Sequence, residues 1–212
     1  MNSSNTNTLI TGAILAGGEG RRMLGANKPL CKLKDQTLLD RVRQKLKPQV
    51  SSIYLSINDE LNKSHLSDFI LVPDLWNQRL GPLAGIYAVM KQLKEDKADA
   101  QWLLCSPVDC PFIPTNLCQQ LQSACKNSHA SIAYARSKGR NHYLSSLWSL
   151  DTIDALELAI NEERLAVRKL IQALNGVAVE FNSPANEPDP FLNINSPEEL
   201  AQAEWQLHHT SV

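Results

Sequence analysis

A glycine-rich segment with three cationic side chains follows the first apolar run of this 212-residue sequence. Residues 15–29 read LAGGEGRRMLGANKP, with four glycines, two arginines and Lys28. Glycines let backbone N–H groups approach an anion closely, and fixed positive charge favours a polyphosphate. Two common phosphate-binding patterns do not match. Ala26 and Asn27 replace the Lys-Ser/Thr of the P-loop, and Met23 replaces the small residue of the dinucleotide fingerprint. The segment predicts a different phosphate site, unless it is a solvated loop with incidental charges.

A second candidate is the aspartate within residues 105–111, which read CSPVDCP and continue an apolar run. Pro107 cannot serve in a central strand ladder, so the strand should stop there and deliver Asp109 to the carboxyl edge of the sheet. Open α/β sheets bind ligands at that edge. Because Mg²⁺ prefers one or two carboxylates together with phosphate oxygens, Asp109 predicts a magnesium site. The alternative is an aspartate that only caps a turn.

Two further motifs place polar or unhindered groups near predicted element ends. The sequence GPLAG at residues 81–85 has a glycine on each side of a helix start. A flat purine ring could lie against the exposed backbone there, although an ordinary helix start explains the pattern almost as well. Alternation in residues 191–195 predicts a short strand with Asn193 and Asn195 on one face. These amides could orient metal-bound water or a substrate phosphate, or simply close a turn before Ser196.

A basic turn is the last feature of the sequence that could take part in substrate binding. It contains Arg136, Lys138, Arg140 and His142 around a single glycine. The pattern predicts a hairpin tip, and its cations either present a second anionic substrate or serve solubility.

The elements that must position these motifs alternate in type along the chain. Apolar runs of strand length predict strands at 9–15, 53–57, 69–72, 102–105, 130–135, 143–148 and 177–181. Helical periodicity predicts helices at 38–46, from residue 82, at 114–125, within 152–174, and from Pro197 with Ser196 and Glu199 in a capping box. The alternation predicts an α/β fold, a three-layer α/β/α sandwich with a mostly parallel, Rossmann-like sheet. We expect one domain over residues 1–212, with 1–8 as a flexible N-terminal tail.

Composition excludes several classes of protein. The formal net charge is −1 and the sequence pI is about 6.5, so no basic excess supports binding to nucleic acid. No apolar run approaches the roughly 18 residues that a membrane span needs. The polar N-terminus lacks the pattern of a secretory signal, and five cysteines without metal-binding spacing indicate reduced thiols. These features predict a cytoplasmic location, with no nucleic-acid or membrane partner.

In their order and spacing, the motifs closely resemble the molybdenum cofactor guanylyltransferases of the MobA type. The resemblance covers nearly the whole chain. The matching segments are Leu15 to Gly18, Arg22-Met23, Lys28 to Leu30, GPLAG at 81–85, Asp109 to Pro111, and NINSPEEL at 193–200. The first of them is shared by many nucleotidyltransferases. Its combination with GPLAG and the terminal asparagine motif is more specific.

The resemblance implies that the terminal phosphate of molybdopterin attacks the α-phosphorus of GTP and releases pyrophosphate. It also implies Mg²⁺ as cofactor, a nucleotide-diphospho-sugar transferase-like fold, and transient contacts with molybdenum-insertion and molybdoenzyme proteins. By similarity, Asp109 and Asn195 would hold the metal, and Arg22, Lys28 and Asp109 would be catalytic. The residues that would bind GTP are Leu15, Ala16, Gly17, Gly18, Lys28, Asn58, Asp74, Gly81 and Asp109.

The chain departs from the family pattern at three positions. Leu24 stands where glycine is usual, Asn27 stands where aspartate precedes the lysine, and Tyr143 follows His142 where proline is common. Two alternatives therefore stay open beside the guanylyltransferase reading. One is a related nucleotidyltransferase that uses CTP or another acceptor phosphate, and the other is a non-catalytic nucleotide-binding homologue.

Overall fold

The structure is a computed structural model that describes residues 9–17, 28–57, 66, 68–73, 75–76, 80–183 and 187–209. Its strands are β1 (Ile10–Leu15), β2 (Lys32–Leu33), β3 (Gln36–Thr37), β4 (Ile53–Ser56), β5 (Ile70–Val72), β6 (Trp102–Pro107), β7 (Ile132–Ser137), β8 (Arg140–Ser149) and β9 (Val177–Glu180). Its helices are α1 (Leu38–Leu46), α2 (Pro82–Glu95), α3 (Leu117–Ser128), α4 (Ile153–Asn161), α5 (Val167–Ala173) and α6 (Pro197–His209). The N-terminal residues 1–8 lie outside the described part.

Within the described part, seven strands form one sheet in the order β5-β4-β1-β6-β8-β7-β9. Strand β8 is antiparallel to both of its neighbours, and the remaining pairs are parallel. The mostly parallel sheet is confirmed. The short hairpin of β2 and β3 was not predicted, because two-residue strands carry no periodicity.

Helices cover both faces of this sheet. Along β1, the side chain of Ile14 packs in a core with helices α1 and α3, while Ala13 and Leu15 pack in a second core with α2, α4 and α5. Successive strand residues point to opposite faces, so this division is what a sheet buried on both sides requires. The three-layer α/β/α sandwich is confirmed.

Several predicted element bounds differ from the structure. The strand predicted at 102–105 extends to Pro107, and the strand predicted at 130–135 lies at Ile132–Ser137. The helix predicted at 114–125 begins later, at Leu117, and the strand predicted at 143–148 is longer, Arg140–Ser149. The strand predicted at 191–195 is wrong, because those residues form a turn and a connection without regular structure. None of the described helices is both long and apolar enough to cross a membrane.

Candidate active site

The carboxyl ends of β1 and β6 bring the first predicted site residues together. Leu15 and Pro107 are register partners, and the Val108 N–H continues the pairing by donating to the Leu15 carbonyl at 3.1 Å. On the other side of β6 the pairing with β8 ends at Cys105. Strand β6 therefore ends at Pro107, as its missing N–H predicts, and Asp109 lies at this edge.

The backbone at the end of β1 is partly used within the sheet. The Ala16 N–H donates to the Ser56 carbonyl at 2.9 Å, and the Leu15 carbonyl accepts from Val108. Among the described residues, the first main-chain groups available to a ligand are therefore the Ala16 carbonyl and the groups of Gly17, which is exposed.

Lys28 joins Asp109 to the C-terminal asparagine motif. Its Nζ donates to Asp109 Oδ2 at 2.7 Å and to Asn195 Oδ1 at 2.6 Å. The Lys28 and Asp109 side chains are only 13% and 15% exposed. An ammonium group has three donors, and within the described part of the chain these two residues accept two of them, which leaves one donor for a phosphate oxygen.

The start of α6 holds Asn195 in place. The Ser196 hydroxyl accepts from the Glu199 N–H at 3.2 Å, which confirms the predicted cap. The Glu199 carboxylate accepts from the Asn195 N–H at 2.6 Å, one residue before the cap. Beside it, the Ile194 N–H donates to the Asp109 carbonyl at 2.9 Å, and the Ile194 side chain is fully buried. The segment before α6 is therefore fixed against the Asp109 loop.

Asn193 has a partner that the sequence did not indicate. The thiol of Cys110 donates to Asn193 Oδ1 at 2.8 Å. Burial and the neighbouring Asp109 raise the pKa of the Cys110 thiol well above its ordinary value, so it stays protonated and keeps this hydrogen bond. The only sequence signal for Cys110 was its position next to Asp109.

A bulge in β8 opens a pocket next to these groups. Ala135 of β7 pairs with His142, whereas the preceding Tyr134 pairs with Ser146, so residues 143–145 have no register partner on β7. They also lie beyond the last β6 pair, at Ser146. The resulting pocket has a volume of about 300 Å³. Its lining consists of Pro82, Pro107, Cys110, Asn141, His142, Tyr143, Leu144, Ser145, Val167 and Asn193.

The basic turn is a two-residue hairpin connection, as predicted. Lys138 and Gly139 have φ of 47° and 76°, which suits a tight β-hairpin turn. Below the tip, Ser137 Oγ donates to Asp189 Oδ1 at 2.8 Å and lies 2.8 Å from His142 Nε2. Burial lowers the pKa of His142, which the Asp189 carboxylate partly offsets.

The two glycines of GPLAG have different roles. Gly81 is exposed, has φ of 75°, and stands directly before α2, where its conformation favours glycine. Gly85 lies inside α2, and a Cβ there would meet Ser56 Oγ at 2.5 Å. The suggestion that Gly85 marks a helix start open to a purine ring is wrong, since its missing side chain lets α2 approach β4.

The chain is similar over most of its length to known proteins. The profile of the MobA-like NTP transferase domain matches residues 12–178. The molybdenum cofactor guanylyltransferase of Rhodobacter capsulatus is 39% identical over 207 residues, covering 95% of this chain and 98% of that protein. That of Sinorhizobium fredii is 38% identical over 199 residues, covering 92% and 90%. The chain belongs to the molybdenum cofactor guanylyltransferase family.

Solved structures share the fold of this family member at low sequence identity. Molybdopterin-guanine dinucleotide biosynthesis protein A from Archaeoglobus fulgidus aligns with a TM-score of 0.75 at 23% identity, covering 93% of this chain and 98% of that one. The 2-C-methyl-D-erythritol 4-phosphate cytidylyltransferase of Francisella tularensis aligns with a TM-score of 0.69 at 17% identity, covering 93% and 99%. The same architecture thus serves more than one nucleotide, so the fold alone does not specify the base.

In this molybdenum cofactor guanylyltransferase family member, the predicted site residues fall into groups. Lys28, Asp109 and Asn195 are in direct contact, and Leu15, Ala16 and Gly17 end the strand beside Asp109. Gly81 immediately precedes Pro82, which lines the pocket. Other predicted residues lie outside the described part of the chain: Gly18, Arg22, Asn58 and Asp74, with the departures Leu24 and Asn27.

Proposed function

We propose that this chain transfers GMP from GTP to the terminal phosphate of molybdopterin, forming molybdopterin guanine dinucleotide and pyrophosphate. One observation supports this above others: the Lys28, Asp109 and Asn195 cluster lies at the carboxyl edge of the sheet and adjoins a pocket for a second substrate. Family membership supplies the identity of the two substrates.

The reaction needs positioning and charge neutralisation more than acid–base chemistry. An oxygen of the acceptor phosphate forms a bond to the α-phosphorus of GTP, and the bond to the β-phosphate oxygen breaks with its electron pair leaving on pyrophosphate. Because the nucleophile is already anionic, no side chain has to remove a proton. The remaining donor of Lys28 is placed to bind a phosphate oxygen and stabilise charge there.

The donor set at Asp109 suits Mg²⁺. The Asp109 carboxylate and the Asn195 amide oxygen converge on one positive charge, the Lys28 ammonium, and hard oxygen donors are those that Mg²⁺ prefers. No group of three His, Cys, Asp or Glu side chains suited to a metal occurs among the described residues. We therefore propose that Asp109 and Asn195 hold the ion together with substrate oxygens. When bound, it would supply charge neutralisation at the phosphates.

The test is a transfer assay with purified protein, GTP, Mg²⁺ and molybdopterin, in which dinucleotide and pyrophosphate are quantified. The wild-type protein should form both, chelation of Mg²⁺ should abolish the reaction, and Asp109→Asn and Lys28→Met should each lower turnover by at least about 100-fold. Lys126→Met, which changes an exposed lysine on α3, is the matched control and should be fully active.

Two results would contradict the proposal. Preference for CTP over GTP would replace the guanylyl assignment with a cytidylyl one. Nucleotide binding without any transfer would indicate a non-catalytic homologue.

We also propose that the reaction takes place in the cytoplasm, where GTP is available, and that the product passes to molybdenum-insertion and molybdoenzyme proteins through transient contacts. The lability of the free cofactor supports such direct transfer. Co-purification with a molybdoenzyme, dependent on bound product, would test it.

A further inference from the structure

The hydroxyl of Ser145 is a buried polar group without a partner. Ser145 is 1% exposed, lines the pocket beside Asp109, and its Oγ makes no hydrogen bond to any residue in the described part of the chain. Buried hydroxyls nearly always have a partner, so an orphaned one requires an explanation. Because Ser145 lines the pocket, rotation of its side chain toward the pocket would let a ligand seated there provide that partner.

The neighbouring serine shows that this bulge can satisfy its own hydroxyl groups. Ser146 Oγ donates to the Tyr143 carbonyl at 2.9 Å and accepts from Trp148 Nε1 at 2.8 Å. Both capacities of that hydroxyl are used to hold the bulge in shape. The hydroxyl of Ser145, one residue away, makes no hydrogen bond within the bulge. It therefore has no role in holding the shape of the bulge.

His142 brings a second unused group to the same pocket. The Ser137 hydroxyl has one proton, which it donates to the Asp189 carboxylate, so His142 Nε2 must donate to Ser137 Oγ. Burial lowers the pKa of His142, which keeps the ring neutral near pH 7 and leaves Nδ1 as an acceptor. Among the described residues, none donates to Nδ1.

The remaining lining of the pocket suits a flat ring. Its walls include Pro82, Pro107, Tyr143, Leu144 and Val167, which offer apolar surface. Its volume of about 300 Å³ is at the lower end for small-molecule sites. Through Cys110 and Asn193 it adjoins the Asp109 cluster.

We propose that Ser145 and His142 determine acceptor specificity by hydrogen-bonding the edge of a pterin ring held in this pocket. The inference rests on the proposed function and adds to it the groups that recognise the acceptor. A reduced pterin carries ring N–H donors and a carbonyl acceptor, which match the acceptor Nδ1 and the Ser145 hydroxyl. The apolar walls would cover the two faces of the ring.

The test uses 6-hydroxymethyl-7,8-dihydropterin as the probe, with isothermal titration of the full chain in the absence of nucleotide. Ser145→Ala should weaken probe binding about 5- to 30-fold, and Ser145→Cys, which is slightly larger and has a poorer donor, should weaken it similarly. His142→Phe, which keeps the aromatic stacking on Phe191, should also weaken it. Ser149→Ala, on the same strand but outside the pocket lining, should bind like the wild type.

GTP titration of every variant provides the internal reference. GTP affinity of the Ser145 and Ser149 variants should stay within about twofold of the wild type, which also verifies that these variants fold. The proposal is overturned if the wild type does not bind the probe, if the Ser145 and His142 variants bind it as well as the wild type, or if GTP displaces it. Failure of the proposed function is seen separately, as absence of GMP transfer to molybdopterin by the wild-type protein.

Discussion

At the scale of single residues, the geometry of the candidate site depends on the Cys110 thiol, which fixes the asparagine segment. Asp109 and the asparagine motif are separated by more than eighty residues in sequence, yet the Cys110 thiol donates directly to Asn193. A buried hydrogen bond of this kind contributes about 1 kcal/mol and fixes the amide orientation. Cys110 is therefore a positioning residue for the asparagine segment.

Replacing Cys110 tests that role. Cys110→Ala should lower the free energy of unfolding by about 1–3 kcal/mol, because it leaves a cavity and an unpaired amide oxygen. It should also lower transfer turnover several-fold with little change in the KM for GTP, since Lys28 keeps its own contacts. Cys110→Ser retains a donor and should recover most of the turnover. Equal turnover of the alanine and serine variants would show that the hydrogen bond has no positioning role.

At the scale of elements, the first turn of α6 connects helix capping to the active site. The Glu199 carboxylate accepts from the Asn195 N–H, and Asn195 Oδ1 accepts from Lys28. A carboxylate in the first turn of a helix thereby positions the asparagine that accepts from Lys28.

Glu199→Ala should separate these two effects. Loss of the carboxylate's hydrogen bond with the Asn195 N–H should lower stability by about 0.5–1.5 kcal/mol, while the Ser196 cap is retained. Because the Asn195 backbone is then released, turnover should fall about tenfold, measured as pyrophosphate release at saturating GTP. Glu199→Gln keeps the acceptor and should restore turnover. An alanine variant that is less stable but fully active would show that the Glu199 carboxylate does not orient Asn195.

The contact between α2 and β4 gives a second prediction at this scale. Gly85→Ala places a Cβ at 2.5 Å from Ser56 Oγ and should destabilise the protein by about 1–3 kcal/mol. In a Ser56→Ala background the nearest remaining atom is the Cβ of residue 56, at 3.4 Å, so the same substitution should then cost less. Urea denaturation of the two single variants and the double variant measures the coupling. If the free energies of unfolding lost in the two single variants add up to the loss in the double variant, the two positions are not coupled and this prediction is contradicted.

These elements also show what the sequence could predict. Periodicity and capping residues predicted the long strands and helices, and the edge position of Asp109 followed from Pro107. The asparagine segment was predicted as a strand because alternation of apolar and polar residues also fits an irregular connection that buries Ile194. The β8 bulge and the pairing of Cys110 with Asn193 depend on tertiary contacts, which no local pattern reports.

At the scale of the whole molecule, one polar network ties the hairpin to the C-terminal segment. His142 of β8, Ser137 of β7 and Asp189 are linked in series, and Asp189 Oδ1 also accepts from the Phe191 N–H at 2.9 Å. The His142 ring stacks on Phe191 with centroids 4.8 Å apart. The pocket wall and the segment that carries the two asparagines are thus held by the same groups, so the pocket and the cluster of Lys28, Asp109 and Asn195 keep a fixed relation.

The protonation of His142 makes this network dependent on pH. Burial lowers its pKa in the folded protein, with opposing effects from Asp189 and Glu180 and a further lowering by Arg140. As pH falls below the unfolded value of about 6.5, the unfolded chain takes up a proton that the folded chain does not, so the free energy of unfolding decreases. This decrease continues until pH passes the folded pKa, and a single group contributes at most about 1.4 kcal/mol per pH unit.

His142→Gln should remove this contribution while retaining a donor for Ser137. Urea denaturation at intervals between pH 7.5 and pH 5 should show a steeper loss of stability for the wild type than for the variant. The difference between the two curves isolates the contribution of residue 142, since the rest of the sequence is the same in both proteins. Parallel stability curves would mean that His142 has the same pKa folded and unfolded, and the network would then hold the hairpin to the asparagine segment at every pH in this range.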